Sequence, residues 1–177
     1  MRASGAARIS FDGLRLPISS LVFDVTDAQS ALMRLNTRAR LAVASQAIGL
    51  AQAAVDAEVK YANERTQFNT KIGRFYAVQD FIAQDEVGLE TSRAQVYLSA
   101  SQIDTSETIG RESAVAKISA SNCAVSSGRH AIRVHGGYGF VRDYPVERYV
   151  RDARLTQIYP ESNESLKAQI AGSLLGI

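Results

Sequence analysis

Apolar residues recur at intervals of three and four along most of this sequence, the spacing that places side chains on one face of an α-helix. Residues 28–66 carry an alanine-rich stripe of this kind, which predicts one long helix that neighbouring helices can approach closely. Thr26 or Asp27 can cap its start. At about 1.5 Å per residue it would be roughly 55–60 Å long, which favours packing against other chains. The stripe comprises Leu41, Ala44, Ile48, Ala51, Val55 and Val59.

A break at Gly73 separates this helix from two further long helices. The second is predicted over residues 75–103 and the third over residues 108–134, with a polar loop at residues 104–106 between them. Each of these two helices carries a set of mostly apolar positions along one side, which predicts a shared core. These positions are Phe75, Val78, Ile82, Leu89, Val96 and Ile103 in the second helix, and Val115, Ile118, Asn122 and Val125 in the third.

Two shorter helices are predicted in the last third of the chain. The proline that opens residues 145–154 suits the first turn of a helix, and Asp143 is a possible cap. Ser162 can cap a last helix that runs to about Leu175, and Gly176 follows it as a stop signal.

The chain begins with a different pattern. Residues 6–11 alternate weakly between apolar and polar side chains, which predicts a short strand, and Pro17 ends any ladder. So short a strand cannot form a sheet alone, so we expect it to end a sheet outside this sequence or to pair with a partner. The predicted fold is therefore all-α: an antiparallel bundle resembling a four-helix bundle, with a short N-terminal strand remnant.

Composition excludes several classes of protein. Apolar residues make up 46% and charged residues 21%, and the net charge is only +2, so no nucleic-acid footprint is expected. Cys123 is the single cysteine, which excludes an internal disulfide and fits a reducing, cytoplasmic compartment. Since the chain has two histidines in addition to this cysteine, it offers few metal ligands, and no metal site is expected. No uncharged apolar stretch is long enough to span a membrane, and no apolar signal region follows the start.

One segment near the end suggests chemistry. Residues 135–140 read His-Gly-Gly-Tyr-Gly-Phe, and Gly136 and Gly137 can bring backbone amides close to a phosphate. A glycine pair also forms ordinary helix C-caps, so the pair alone is weak evidence. Arg65, at the predicted end of the long helix, can bind phosphate with its guanidinium group, but such a cation more often only stabilises a helix C-terminus.

Taken in order, these motifs resemble the acyl-CoA dehydrogenase family, specifically its C-terminal helical domain. The similar segments include residues 61–68 (YANERTQF), 135–140 (HGGYGF) and 144–148 (YPVER). Their order and spacing carry the resemblance across nearly the whole chain. It implies that residues 1–27 are the end of a middle β-domain and a linker, and that residues 28–177 are the helical bundle domain.

The resemblance implies FAD as the cofactor. In the family, the arginine that matches Arg65 reaches the FAD of a neighbouring subunit. Arg133 departs from the family, where glutamine is usual, and can still bond to the ribose or the phosphates. Ser162 and Glu164 match flavin contacts, although they also suit a helix cap and a first-turn charge. The expected cofactor-binding residues are Arg65, Gln67, Phe68, Arg133, Gly136, Gly137, Ser162 and Glu164.

The family's catalytic base is a glutamate within Tyr-Glu-Gly-Thr, which takes the α-proton of the thioester. Residues 159–162 read Tyr-Pro-Glu-Ser here, so Pro160 stands at the base position and Glu161 one place later. Glu161 is a catalytic candidate only if the backbone shifts, and a displaced carboxylate can lose orders of magnitude in rate. Some relatives carry the base on the long helix instead, where this chain has Ala39.

Arg40 matches an arginine of the acyl-CoA pocket and is the expected substrate-binding residue. The family commonly has an aspartate three residues earlier, where this chain has Thr37, so a supporting ion pair is lost. Alone, Arg40 is also readily explained as a solvated cation on a helix face.

The resemblance implies one main function and several alternatives. The main one is the C-terminal domain of an FAD-dependent acyl-CoA dehydrogenase, which works as a dimer or tetramer and passes electrons to an electron-transfer acceptor. The alternatives are a non-catalytic subunit of a hetero-oligomeric dehydrogenase, a relative that uses flavin as a monooxygenase does, and a purely structural assembly module. The chain by itself is expected to be inactive.

Overall fold

Five α-helices dominate the computed structural model, which describes residues 5, 7–22, 28–104 and 110–176. Three are long and two are short, which confirms the predicted all-α class. They are α1 (Ala28–Glu64), α2 (Tyr76–Ser101), α3 (Gly110–His135), α4 (Val146–Thr156) and α5 (Asn163–Leu175). The predicted caps Thr26 and Asp27 lie outside the described residues.

The three long helices run antiparallel to their neighbours in sequence. Leu41, near the start of α1, shares one core cluster with Val96, near the end of α2, and with Ala116, near the start of α3. Tyr61, near the end of α1, shares another with Val134, near the end of α3. α1 and α3 therefore point the same way, with α2 reversed beside them.

Small side chains fill the contact between α1 and α3. Ala44, Ala47 and Ala51 of α1 and Ala116 and Ala120 of α3 are completely buried. Because alanine holds the backbones close together, this core depends on close packing of many small groups more than on large side chains.

The predicted core faces are correct in α1 and α2 for most positions and wrong for much of α3. Val59 is 39% exposed, and Val115 and Asn122 are exposed as well. In α3 the buried face is made of small or polar residues, so the larger apolar residues did not mark it. This face includes Ala114, Lys117, Ala120, Ser121, Ala124, Ser127, Gly128 and Ala131.

The ends of the short helices follow local sequence signals. Ser162 caps α5, because its hydroxyl oxygen accepts a hydrogen bond from the Ser165 amide at 3.1 Å. Gly176 ends α5 in the left-handed conformation with φ 70°. The suggested cap Asp143 is wrong: Pro145 is the residue before α4, and it makes no side-chain cap.

Two strand assignments differ from expectation. A small antiparallel hairpin follows α1, with β1 (Thr66–Gln67) paired to β2 (Thr70–Lys71), and it was not predicted. The described residues 7–11, within the strand predicted at residues 6–11, form no ladder in this chain. A strand needs a neighbour for its backbone hydrogen bonds, and the described chain offers none there, so the expected pairing with a sheet outside this sequence or with a partner stays a prediction.

Candidate functional site

A cleft of about 420 Å³ opens at the end of the bundle where α1 and α3 finish. Its walls come from the last turns of both helices, from the hairpin, and from the 3-10 helix Gly136–Phe140. It brings together four of the predicted cofactor-binding residues: Arg65, Gln67, Gly136 and Gly137. The lining residues are Tyr61, Arg65, Gln67, Ile72, Val134, His135, Gly136, Gly137, Tyr138 and Val141.

Arg65 is held in the cleft by its backbone and by an aromatic ring. Its amide donates to the Tyr61 carbonyl at 2.9 Å, and its carbonyl accepts from the Ile72 amide at 2.9 Å. Its guanidinium carbon lies 5.5 Å from the centre of the Tyr138 ring, within cation–π range. The Arg65 guanidinium therefore lies in the cleft, and its hydrogen-bond donors have no acceptor among the described side chains.

The glycine pair gives the cleft an open floor. Gly136 has φ 59°, a conformation that favours glycine, and a Cβ atom added at Gly136 or Gly137 would meet no atom within 4 Å. A Cβ at Gly139 would instead lie 2.7 Å from the Ile132 carbonyl oxygen. The first two glycines thus leave room for a ligand against the backbone, whereas Gly139 is required by packing.

His135 forms the inner wall of the cleft and is only 4% exposed. Its Nδ1 lies 2.8 Å from the Ala131 carbonyl oxygen. Its ring stacks on Tyr61 with centroids 4.2 Å apart and meets the edge of Tyr144 at 5.3 Å. Burial lowers the pKa of this imidazole below its ordinary value, which favours the neutral ring at neutral pH.

The cleft is suited to an anion with an apolar neighbour. Its lining contains one full positive charge, from Arg65, and no Asp or Glu. Beside that charge lie open backbone and aromatic rings. The described residues contain no group of three side chains that could hold a metal ion. This donor set and the open glycine floor fit the diphosphate of a dinucleotide such as FAD.

The other four predicted cofactor residues lie outside the cleft, among them Phe68 and Arg133. Phe68 is 89% exposed at the hairpin turn, where it has φ 51°, unusual for a bulky residue, and meets Phe75 edge-on. Arg133 lies over the Phe81 ring at 5.7 Å, on the α2 side of α3. Neither lines the cleft, so their roles toward a cofactor stay predictions.

The turn before α5 holds a different site, at the far end of α1. Arg40 is only 5% exposed, and its Nε donates to a Glu161 carboxylate oxygen at 2.5 Å. The same guanidinium donates to the Gly110 carbonyl at 3.0 Å and to the Gln169 side chain at 2.8 Å. Arg40 is therefore a buried cation with three partners, not a solvated one.

This pairing defines the chemistry available to Glu161. The hydrogen bond from Arg40 holds the pKa of the Glu161 carboxyl below its usual value, and a second bond from Gln169 acts in the same direction. A carboxylate stabilised in its charged form is a weaker proton acceptor. The Glu161 side chain is accordingly suited to anchoring α1 against the α5 turn.

A buried lysine fixes the backbone of that turn, and the sequence reasoning missed it. Lys117 is fully buried, and its ammonium group donates to the Glu161 carbonyl at 2.8 Å and to the Asn163 side chain at 2.9 Å. Burial lowers its pKa to about 8. A lysine within a run of small residues in α3 is the signal that could have revealed it.

The two sites are well separated. Arg40 and Tyr61 are both on α1, and the residues between them span about 30 Å of helix. Ser162 and Glu164 stand with the Arg40 site, where Ser162 caps α5 and Glu164 is exposed in its first turn. The sequence places all of these residues in one functional set, but within this chain the structure divides them between two ends.

A third polar cluster lies within the core, between α1, α2 and α3. Glu58 is fully buried, and neither of its carboxyl oxygens has a hydrogen-bond partner among the described residues. Burial and the neighbouring Asp85 raise its pKa to about 9, so the carboxyl is neutral at neutral pH. The Asp85 carboxyl, itself 3% exposed, lies 3.0 Å from His130 Nδ1.

Comparison with known proteins agrees with this architecture. Residues 5–175 match the family described as acyl-CoA dehydrogenase, C-terminal domain. The mouse (Mus musculus) short-chain specific acyl-CoA dehydrogenase, mitochondrial, is 36% identical over 99% of this chain and 42% of its own length. The caffeyl-CoA reductase-Etf complex subunit CarC of Acetobacterium woodii is 36% identical over 94% of this chain and 44% of its own length.

A solved structure gives the same result. The glutaryl-coenzyme A dehydrogenase glutaryl-CoA complex aligns with a TM-score of 0.85 at 34% identity, over 91% of this chain and 41% of that one. The chain therefore belongs to the acyl-CoA dehydrogenase C-terminal domain family. It spans less than half the length of these relatives. No helix in the described ranges is long and apolar enough to cross a membrane, and the cytoplasmic location stays a prediction.

Proposed function

We propose that this chain is the C-terminal helical domain of a flavin-dependent acyl-CoA dehydrogenase or reductase, and that its cleft holds the diphosphate of FAD. The observation that carries the proposal is the convergence of Arg65 with the open Gly136–Gly137 backbone. These residues are about 70 positions apart in sequence, and they meet because α1 and α3 end together. Family membership supports the choice of flavin over another dinucleotide.

The residues of this chain would bind and orient the cofactor. The Arg65 guanidinium would neutralise phosphate charge, and the backbone at Gly136 and Gly137 would approach the phosphates closely. When bound, flavin supplies the hydride chemistry at the β-carbon of an acyl-CoA thioester. The aromatic side chains of Tyr61, His135 and Tyr138, which line the cleft, would keep water from one side of it.

A second candidate function is favoured by the Arg40–Glu161 contact. Arg40, the expected substrate-binding residue, and Glu161, the displaced candidate base, are engaged with each other, and Pro160 at the family's base position has no carboxyl group. We propose that this subunit binds flavin and supports assembly without supplying the base. A catalytic partner, or a base elsewhere in a longer chain, would then remove the α-proton.

Association with other proteins is part of the same proposal. An exposed apolar surface near the start of α1 supports oligomerisation, with Leu32, Met33 and Leu35 each 55% exposed. The name of the Acetobacterium woodii relative places that protein in an Etf complex. An electron-transfer protein is therefore the partner we propose for this flavin.

Titration of the 177-residue chain with FAD, followed by flavin fluorescence, tests the cofactor proposal. We expect saturable quenching that Arg65→Ala weakens about tenfold or more, because a charge-assisted phosphate contact is lost. Arg38→Ala is the matched control, since Arg38 is half exposed and pairs with Asp104 on another part of the surface. Equal affinity in the two variants would contradict the proposal.

A further inference from the structure

We infer that His135 is a specificity-determining residue of the cleft: it accepts a hydrogen bond from a sugar hydroxyl next to the bound diphosphate. This inference rests on the proposed dinucleotide site. It concerns a residue that the sequence reasoning treated only as a polar group at a helix end. Three properties of the ring give His135 this role: its tautomer, its rigidity and its position in the same cleft as Arg65.

The hydrogen bond of Nδ1 fixes the tautomer. The Ala131 carbonyl can only accept, so the nitrogen 2.8 Å from it must carry the proton. In the neutral ring the other nitrogen, Nε2, then has a lone pair and no proton. Burial favours this neutral form, as the lowered pKa indicates. Nε2 has no hydrogen-bond partner among the described residues, so it is the ring nitrogen left for a ligand.

Aromatic contacts hold the ring in place. Tyr61 covers one face at a centroid distance of 4.2 Å, and Tyr144 meets it at 5.3 Å. Turning the imidazole out of its plane would break both contacts, and a 180° flip within the plane would break the bond to Ala131. Nε2 is therefore a fixed hydrogen-bond acceptor. The side-chain amide of Gln67, in contrast, can present either a donor or an acceptor by rotating.

A fixed acceptor beside fixed donors selects the chemistry of the ligand. The Arg65 guanidinium and the open glycine backbone attract phosphate oxygens, whereas the Nε2 lone pair repels them. A hydroxyl group can donate to Nε2, and a sugar hydroxyl lies next to the diphosphate in ADP and in FAD. His135 would thus orient the ligand. The diphosphate would lie over the Gly136–Gly137 backbone, and the sugar would lie against His135.

Calorimetric titration of the 177-residue chain with ADP and with inorganic pyrophosphate separates the two contributions. We compare wild type, His135→Phe, which keeps an aromatic ring against Tyr61 but has no acceptor, and Arg65→Ala. We expect His135→Phe to weaken ADP binding about tenfold and to leave pyrophosphate binding within twofold, because one hydrogen bond is lost. Arg65→Ala should weaken both ligands.

The outcomes are distinguishable. If Arg65→Ala weakens both ligands but His135→Phe leaves ADP binding unchanged, the His135 inference is wrong and the diphosphate cleft stands. If His135→Phe weakens both ligands equally, its role is structural and the inference also fails. If wild type binds neither ligand, both proposals fail.

A nitrogen-15 NMR spectrum of wild-type His135 provides an independent readout, which holds even if the phenylalanine variant does not fold. We expect an unprotonated Nε2 whose resonance moves on addition of ADP and not of pyrophosphate. A protonated Nε2 in the free protein would overturn the inference.

Discussion

Replacing the buried Glu58 by glutamine is the sharpest test of the polar cluster between α1, α2 and α3. Glu58 is fully buried, and within the part of the chain that the structure describes its carboxyl oxygens have no hydrogen-bond partner. Its pKa is raised from 4.5 to about 9, first by burial and then by the neighbouring Asp85. Glutamine keeps nearly the same size and removes the titration.

The direction of the pH effect on stability follows from the number of protons bound by the folded and the unfolded chain. Between pH 4.5 and about 9 the folded chain keeps a proton on Glu58 that the unfolded chain releases, so the free energy of unfolding falls as pH rises. One proton corresponds to about 1.4 kcal/mol for each pH unit. From about pH 5.5 to 7.5, Glu58 alone therefore removes about 3 kcal/mol.

Urea unfolding followed by circular dichroism measures this contribution at a series of pH values. Groups remote from Glu58 titrate alike in both proteins and cancel in the difference between Glu58→Gln and wild type, which leaves the titration of Glu58 and of its neighbour Asp85. We expect that difference to change by about 3 kcal/mol in favour of the variant over this interval. Glu86→Gln, at an exposed position of α2, is the control and should show no such change. Parallel pH profiles for Glu58→Gln and wild type would refute the reasoning.

Two other predictions concern packing and the α5 turn. Arg40→Met should lower the free energy of unfolding by about 3 kcal/mol at neutral pH, because Glu161 keeps a largely buried charge without its partner. The loss should shrink as the pH falls through the lowered pKa of Glu161 and its carboxyl becomes neutral, leaving the part due to the bonds to Gly110 and Gln169, and a pH-independent loss would contradict the ion pair. Gly139→Ala should lower the free energy of unfolding by about 2 kcal/mol, because its Cβ would strike the Ile132 carbonyl. Gly137→Ala should lower it far less. Equal melting temperatures for the two variants would be inconsistent with this packing.

Local signals in the sequence predicted the helices well. The stop at Gly176 and the cap at Ser162 depend on chemistry within one helical turn, so no tertiary information was needed. The hairpin after α1 was missed because Phe68 and Asn69 adopt positive φ without the Asn-Gly signal that usually marks such turns. Residues 7–11 form no ladder within this chain, because strand pairing is non-local and needs a partner.

The candidate site, like the fold, could be predicted from the sequence only in part. Arg65 and the glycine pair were chosen through the resemblance, but only the fold brings them into one cleft. The contact between Arg40 and Glu161 joins residues 121 positions apart, and no periodic pattern could predict it. In α3, Lys117 lies on a buried face of small residues, where apolar periodicity gives little information.

We propose above that the cleft formed by Arg65, Gly136 and Gly137 binds the diphosphate of the cofactor. Nitrogen-15 NMR of the 177-residue chain titrated with ADP tests it most directly, since each backbone amide reports its own surroundings. We expect the largest shifts at the amides of Gly136 and Gly137, and their loss in Arg65→Ala. Shifts that centre on the start of α5 around Glu164, or shifts that persist in Arg65→Ala, would contradict it.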